Sequence, residues 1–88
     1  TLYQARYSLA MLLDKTGQTR LGVEQLLKAV EQSPNNSMMY YDLGVLYARL
    51  NQYEQAVKYS RLAAELSPKF AEAHNNQAYA LAHLHRYK

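Results

Sequence analysis

Apolar residues recur along this chain at helical spacing, in five blocks separated by turn chemistry. Leu2, Ala5, Leu9, Leu12 and Leu13 mark one helical face. Thr16–Gly17 ends that block, because glycine takes the left-handed closing conformation without steric cost. Leu21, Leu26, Ala29 and Val30 mark a second helix, stopped before Ser33–Pro34, since a proline disfavours helix at the residue before it. Met39, Leu43, Leu46, Tyr47 and Leu50 predict a third, with Asn51 as its C-terminal stop. Ala56, Val57, Ala63, Ala64 and Leu66 predict a fourth, ended before Ser67–Pro68, and Ala71 to about Leu84 forms a fifth. No stretch alternates apolar and polar residues long enough to argue for a strand.

The punctuation alternates as well. A Gly or Asn turn joins the helices of a pair, and a Ser-Pro turn joins one pair to the next, so the chain reads as a string of helical hairpins. Laying residues 3–36 over residues 37–70 gives identities at Tyr7/Tyr41, Leu9/Leu43, Leu12/Leu46, Gln18/Gln52, Val23/Val57, Ala29/Ala63, Glu31/Glu65, Ser33/Ser67 and Pro34/Pro68. Residue size is kept too where helices of a pair must touch, with Ala10 opposite Gly44 and Gly22 opposite Ala56. The period is 34 residues with two helices per unit, and such a period belongs to solenoid repeats.

The middle unit, Ser37–Phe70, resembles a tetratricopeptide (TPR) repeat along its whole length. Tyr40, the pair Leu43–Gly44, Tyr47, Tyr53, Ala56, Ala63 and Pro68 stand where that family places its aromatic, Leu-Gly, small and proline residues. Ser60 departs from the pattern: the family has an aromatic there, and the serine is expected to loosen the packing between units. Residues 3–36 are a weaker copy, keeping Leu9–Ala10, Gly22, Leu26, Ala29 and Pro34 but carrying Arg6 and Leu13 at aromatic places. Residues 71–88 supply the first helix and turn of an incomplete third unit, with Ala78 at the small place, Tyr87 aligned to Tyr53, and Gln77 in place of leucine.

The resemblance implies an all-α fold, a right-handed superhelical solenoid of antiparallel helix hairpins with about 2.5 repeats. One hairpin cannot bury its apolar face alone, so units stack. It also implies a concave groove lined by the first helix of each unit. On that reading the first unit contributes Gln4, Tyr7, Met11, Asp14 and Lys15. The second contributes Met38, Tyr41, Val45, Ala48 and Arg49, and the third Glu72, Asn75, Tyr79, Ala82 and His83. Tyr7, Tyr41 and Tyr79 with Met11 and Val45 then make an apolar, hydroxyl-edged floor, and Lys15, Arg49 and His83 a basic line along one wall. Such a groove suits an extended or helical peptide carrying apolar and acidic side chains, because tyrosine offers contact area at low entropic cost and arginine forks a carboxylate. Relatives that clamp the C-terminal tails of chaperones use Lys, Asn and Arg at places held here by Tyr7, Met11, Asp42, Glu72 and Asn76, so chaperone-tail binding is not expected.

Bulk properties narrow the alternatives. At 88 residues the chain is one domain or part of one. Its net charge of +3 is scattered without a run of like charge, which argues against nucleic acid as partner, and no apolar run approaches a membrane span. With 0 cysteines there is neither a disulfide framework nor a thiolate metal site. His83 and His85 point to opposite sides of a helix, and His74 lies more than two turns from His83, so no metal site is expected. Ser8, Ser33, Ser37, Ser60 and Ser67 lack a nucleophile elbow, and no phosphate loop is present, so neither catalysis nor a cofactor is expected within these residues. The start at Thr1 and the end at Tyr87–Lys88 suggest a piece of a longer protein. No compartment is indicated, and the cytoplasm is a default.

The sequence therefore points to a protein–protein interaction scaffold binding a peptide or helix in its groove. Two alternatives stay open: a regulatory or substrate-presenting arm of a larger enzyme, and a homo-oligomerisation module associating through the open C-terminal helix. The groove residues singled out are Tyr7, Met11, Lys15, Met38, Tyr41, Val45, Arg49, Asn75, Tyr79 and His83.

Overall fold

The structure, a computed structural model, describes residues 1–86 and holds five helices: α1 (Leu2–Lys15), α2 (Thr19–Gln32), α3 (Ser37–Arg49), α4 (Tyr53–Leu66) and α5 (Ala71–Arg86). The expectation for Tyr87 falls outside the described residues. The turn chemistry behaves as its residues dictate. Gly17 (φ 87°) and Asn51 (φ 60°) take left-handed conformations between the helices of each pair. Ser33 and Ser67, each ahead of a proline, are forced extended, at φ −142° and −139°. Asn36 then starts α3, its side-chain oxygen accepting from the Met39 amide at 3.3 Å.

Helix α1 packs along α2 and α3 along α4, the pairs meet where α2 faces α3, and α5 lies against α4 and touches α3. Small residues set the spacing within each pair. A Cβ added at Gly22 would stand 2.9 Å from the Ala10 carbonyl oxygen, and one added at Gly44 would stand 2.5 Å from the Ser60 hydroxyl. The main core lies at the α2–α3 seam, where Leu26, Ala29, Val30, Met39, Leu43 and Leu46 are buried together.

Two features differ from expectation. Ser60, expected to loosen the stack, is 0% exposed and lies directly under Gly44, so that place has no room for the aromatic of the family pattern. The aromatic sits one residue earlier: the Tyr59 ring stacks between Tyr47 (5.5 Å) and Tyr40 (6.2 Å). The second concerns the apolar stripe of α1. Leu9 and Leu12 remain 43% and 57% exposed, whereas their counterparts one period on, Leu43 and Leu46, are 0% and 1% exposed. The buried residue of α1 is instead Ala10, with Tyr3, Tyr7 and Met11 packed beside the core.

Candidate functional site

The first helices α1, α3 and α5 carry all the groove candidates, and their side chains fall into separate local environments. Between α3 and α5 a recess of about 220 Å³ is lined by Gly44, Val45, Ala48, Arg49, Asn76 and Tyr79. It brings three expected residues, Val45, Arg49 and Tyr79, to one place: an aliphatic floor, a phenol and a guanidinium. Glycine at 44 and alanine at 48 leave the depth, because neither projects a long side chain from α3. Tyr79 is 54% exposed and the Arg49 side chain 61%, so both are open to a ligand.

A second recess, of about 420 Å³, lies between the N-terminal halves of α1 and α3 and is lined by Tyr3, Gln4, Tyr7, Ser8, Asn36, Met38 and Met39. Here Tyr7 and Met38 meet. The Tyr7 hydroxyl donates to Asp42 Oδ2 at 2.7 Å, tying α1 to α3. Burial, reinforced by the adjacent Asp42 carboxylate, pushes the Tyr7 phenol up to about 12. Asp42 is itself raised, chiefly by burial and further by the negative charge of Asp14, against the lowering effect of the Tyr7 hydrogen bond.

The three basic positions have different surroundings. Arg49 Nη1 lies 3.7 Å from Asp14 Oδ2, within ion-pair reach but beyond hydrogen-bonding distance. Asp14 is held independently by the Thr19 hydroxyl at 2.8 Å. His83 stacks on Tyr53 at 4.7 Å and leans on Tyr79 at 4.3 Å; it lines a third recess with Asn51, Gln52, Tyr53, Glu54, Gln55 and Leu84. Lys15 and Asn75 are exposed. Tyr41 packs on Phe70 at 4.9 Å, with Ala63, Ala64 and Ala73 beneath. None of the three recesses is lined by Met11, Lys15, Tyr41 or Asn75.

Sequence reasoning named Asp42 and Asn76 only at places of the chaperone-tail clamp and left both off the groove lining, each being one helical position beyond a groove place. For Asp42 a signal existed: an acid at the middle of an apolar helix, flanked by Tyr41 and Leu43, needs a polar partner. Among the described residues no group of three or more His, Cys, Asp or Glu side chains could hold a metal ion, and no helix is long and apolar enough to cross a membrane.

Sequence models of the tetratricopeptide repeat match residues 3–36 and residues 26–58, which together take in more than half of the chain. The chain belongs to the tetratricopeptide repeat family. Among curated proteins it is 32% identical over 83 residues to anaphase-promoting complex subunit 3 of Schizosaccharomyces pombe. It is 30% identical over 80 residues to a UDP-N-acetylglucosamine–peptide N-acetylglucosaminyltransferase of Giardia intestinalis. These alignments take in 94% and 91% of this chain but span 12% and 5% of the relatives. Among solved structures, the second TPR of Spaghetti (RPAP3) bound to the HSP90 peptide SRMEEVD superposes with a TM-score of 0.92 at 16% identity, over 98% of this chain and 80% of that one. A crystal structure of the MamA protein gives 0.90 at 19% identity, over 94% and 45%. At these identities the likeness establishes the fold: an all-α TPR solenoid.

Proposed function

We propose that this chain is a protein-interaction scaffold whose groove binds a peptide or helix carrying an apolar residue beside an acidic one. The observation that carries this reading is the α3–α5 recess, where an apolar floor of Val45 and Ala48 lies beside the guanidinium of Arg49, with Tyr79 and Asn76 opposite. An apolar side chain fills a recess of about 220 Å³, and a neighbouring carboxylate reaches Arg49. Tyr7 and Met38 extend the binding face toward α1, and Met11, Lys15, Tyr41, Asn75 and His83 complete it along the first helices.

The solved relative bound to an HSP90 peptide supports peptide binding as the use of this fold, while the family resemblance puts Asp42 and Glu72 at places of a chaperone-tail clamp. Asp42 and Glu72 put carboxylates where an acidic tail would be repelled, so a different peptide class is the ligand. The glycosyltransferase among the relatives supports a second reading, an arm that presents substrates to a larger enzyme; it uses the same groove and adds no catalysis within these residues.

A peptide array probed with wild type, Tyr79→Ala and Arg49→Glu tests the proposal. Both side chains are more than half exposed, so neither substitution threatens the fold. Bound peptides should weaken about tenfold or more with each variant, as for anchor residues at interfaces. If every bound peptide is indifferent to both, the groove assignment is wrong.

A further inference from the structure

Helix α3 lines both the α1–α3 recess and the α3–α5 recess, and one carboxylate stands between them. Met38, Asp42, Val45 and Arg49 are spaced four, three and four residues apart, so they share one face of α3. Met38 lines the first recess, and Val45 and Arg49 line the second. A chain passing from one recess to the other along this face crosses Asp42.

The surroundings of Asp42 favour a cation there. Its Oδ2 accepts from the Tyr7 hydroxyl at 2.7 Å, and no described residue forms an ion pair with it. The guanidinium on the same face, Arg49, approaches Asp14 instead, at 3.7 Å. Burial and then the negative charge of Asp14 raise the Asp42 carboxyl, against the opposing effect of the Tyr7 bond. A positive group brought alongside offsets the desolvated, like-charged setting.

We infer that the groove selects an extended peptide with an acidic, a basic and an apolar residue at alternate positions. The acid lies on Arg49, the lysine or arginine against Asp42, and the apolar residue in the α1–α3 recess with Tyr7 and Met38. This rests on the groove reading proposed above and names the peptide class. Spacing sets the register. From Met38 to Asp42 is four residues, and from Asp42 to the centre of Gly44–Arg49, the α3 stretch lining the other recess, is four to five. At 1.5 Å per residue each step is about 6–7 Å along α3. Side chains on one side of an extended chain recur every two residues, at about 6.8 Å.

A ligand helix matches the same step every fourth residue, but the surface chemistry argues against it. Helices dock in grooves through an apolar stripe, and here a carboxylate interrupts the apolar positions. An extended chain instead brings main-chain groups that need partners. The recesses offer polar side chains for them, Gln4, Ser8 and Asn36 in one and Asn76 in the other.

Fluorescence anisotropy with a synthetic peptide, Gly-Glu-Ala-Lys-Ala-Leu-Gly with blocked ends, and its reversed sequence tests the inference in both chain directions. The tighter of the two is then varied. Replacing its lysine by norleucine should weaken binding about tenfold to wild type, but less than about twofold to Asp42→Asn, which keeps an acceptor for Tyr7. Inserting one alanine between lysine and leucine turns the leucine away and should weaken binding at least about tenfold. The variants Arg49→Glu and Tyr79→Ala probe the groove separately. A peptide weakened by both of these variants, yet losing equally from the lysine replacement in wild type and Asp42→Asn, overturns this inference and leaves the groove reading standing. Tighter binding when the three residues are spaced four apart does the same, because the ligand is then a helix. Indifference to Arg49→Glu and Tyr79→Ala overturns both readings. Failure of both peptides to bind at about 1 mM overturns the inference alone, the peptide array still deciding the groove.

Discussion

Ser60 offers the sharpest test of how these hairpins are held together. Its hydroxyl is fully buried and makes no hydrogen bond with any described residue, and it occupies the space into which a side chain at Gly44 would grow. A buried hydroxyl without a partner costs about 1–3 kcal/mol. Removing it forfeits a few dispersion contacts of about 0.1–0.2 kcal/mol each, and alanine is the better helix former by a few tenths. Ser60→Ala should therefore stabilise the chain by about 1 kcal/mol, which for a domain of this size raises Tm by about 4–8 °C.

The companion substitution isolates the contact. Gly44→Ala gains up to about 1 kcal/mol of helix propensity. It also places a methyl group 2.5 Å from the Ser60 hydroxyl, 3.3 Å from the Ser60 amide nitrogen and 3.4 Å from the Ala56 carbonyl oxygen. Overpacking of that kind costs about 1–3 kcal/mol, so the single variant loses stability. In a chain that also carries Ser60→Ala the worst clash is gone, and the two changes should be coupled by about 1 kcal/mol. Urea unfolding of the four proteins, with m held constant, measures the cycle. A lower midpoint for Ser60→Ala would show that the hydroxyl is satisfied or needed for packing. Additivity within about 0.3 kcal/mol would show that the contact does not limit the approach of α3 and α4. The same geometry predicts that Ser60→Phe, which restores the family's aromatic, destabilises by about 2 kcal/mol or more.

Gly17→Ala should cost about 1–2 kcal/mol through backbone strain alone, because φ is 87° and nothing lies within 4 Å of the added methyl; a chemical-denaturation midpoint equal to wild type would contradict it. Tyr7→Phe should cost about 1 kcal/mol by removing the hydrogen bond to the half-buried Asp42, and a carboxyl NMR titration should show Asp42 raised further, since that bond is what opposes its rise. Because the folded pKa of Asp42 is already above its ordinary value, its contribution to stability is full below the ordinary carboxylate range and is lost as pH rises through the folded value. Asp42→Asn should abolish that part of the pH dependence of Tm and raise Tm at neutral pH; an unchanged profile would show that Asp42 is solvated.

What was legible in the sequence was whatever a period or a turn residue encodes. Gly17, Asn51 and the two Ser-Pro steps announce the helix ends because each constrains backbone angles locally, and the 34-residue echo then gives the pairing. Less legible was anything decided by a neighbour from another helix. The stripe of Leu2, Ala5, Leu9 and Leu12 reads as a core face whether or not a helix stands against it. Ser60 reads as a defect in the family pattern until Gly44 is seen above it, and Tyr59 then supplies the ring from an adjacent place. The candidate groove residues share a period, yet Tyr41 settles on Phe70, Arg49 approaches Asp14 and His83 stacks on Tyr53, since each meets a different partner.

That divergence bears on how the groove selects a ligand. A repeat period supplies equivalent backbone positions, so it predicts a uniform surface, but selectivity requires that equivalent positions differ. Here the difference comes from two acids, Asp42 between the periodic places and Asp14 at one of them, where the later units carry Ala48 and Ala82. Asp42 removes the Tyr7 hydroxyl from the ligand-facing inventory by accepting its hydrogen bond, and Asp14 stands beside Arg49. Asp14 keeps its bond to Thr19 whether or not Arg49 stays, so the guanidinium can turn to an incoming carboxylate without leaving a stranded acid. On the proposed reading of the groove, its α3–α5 end is thus poised for an acidic ligand group. The α1–α3 end, where Asp42 faces Tyr7 and Met38 is half exposed, favours an apolar one. A peptide lying along the first helices would be read in that order, acid toward α5 and apolar residue toward α1, and reversing the order in an otherwise identical peptide should weaken it.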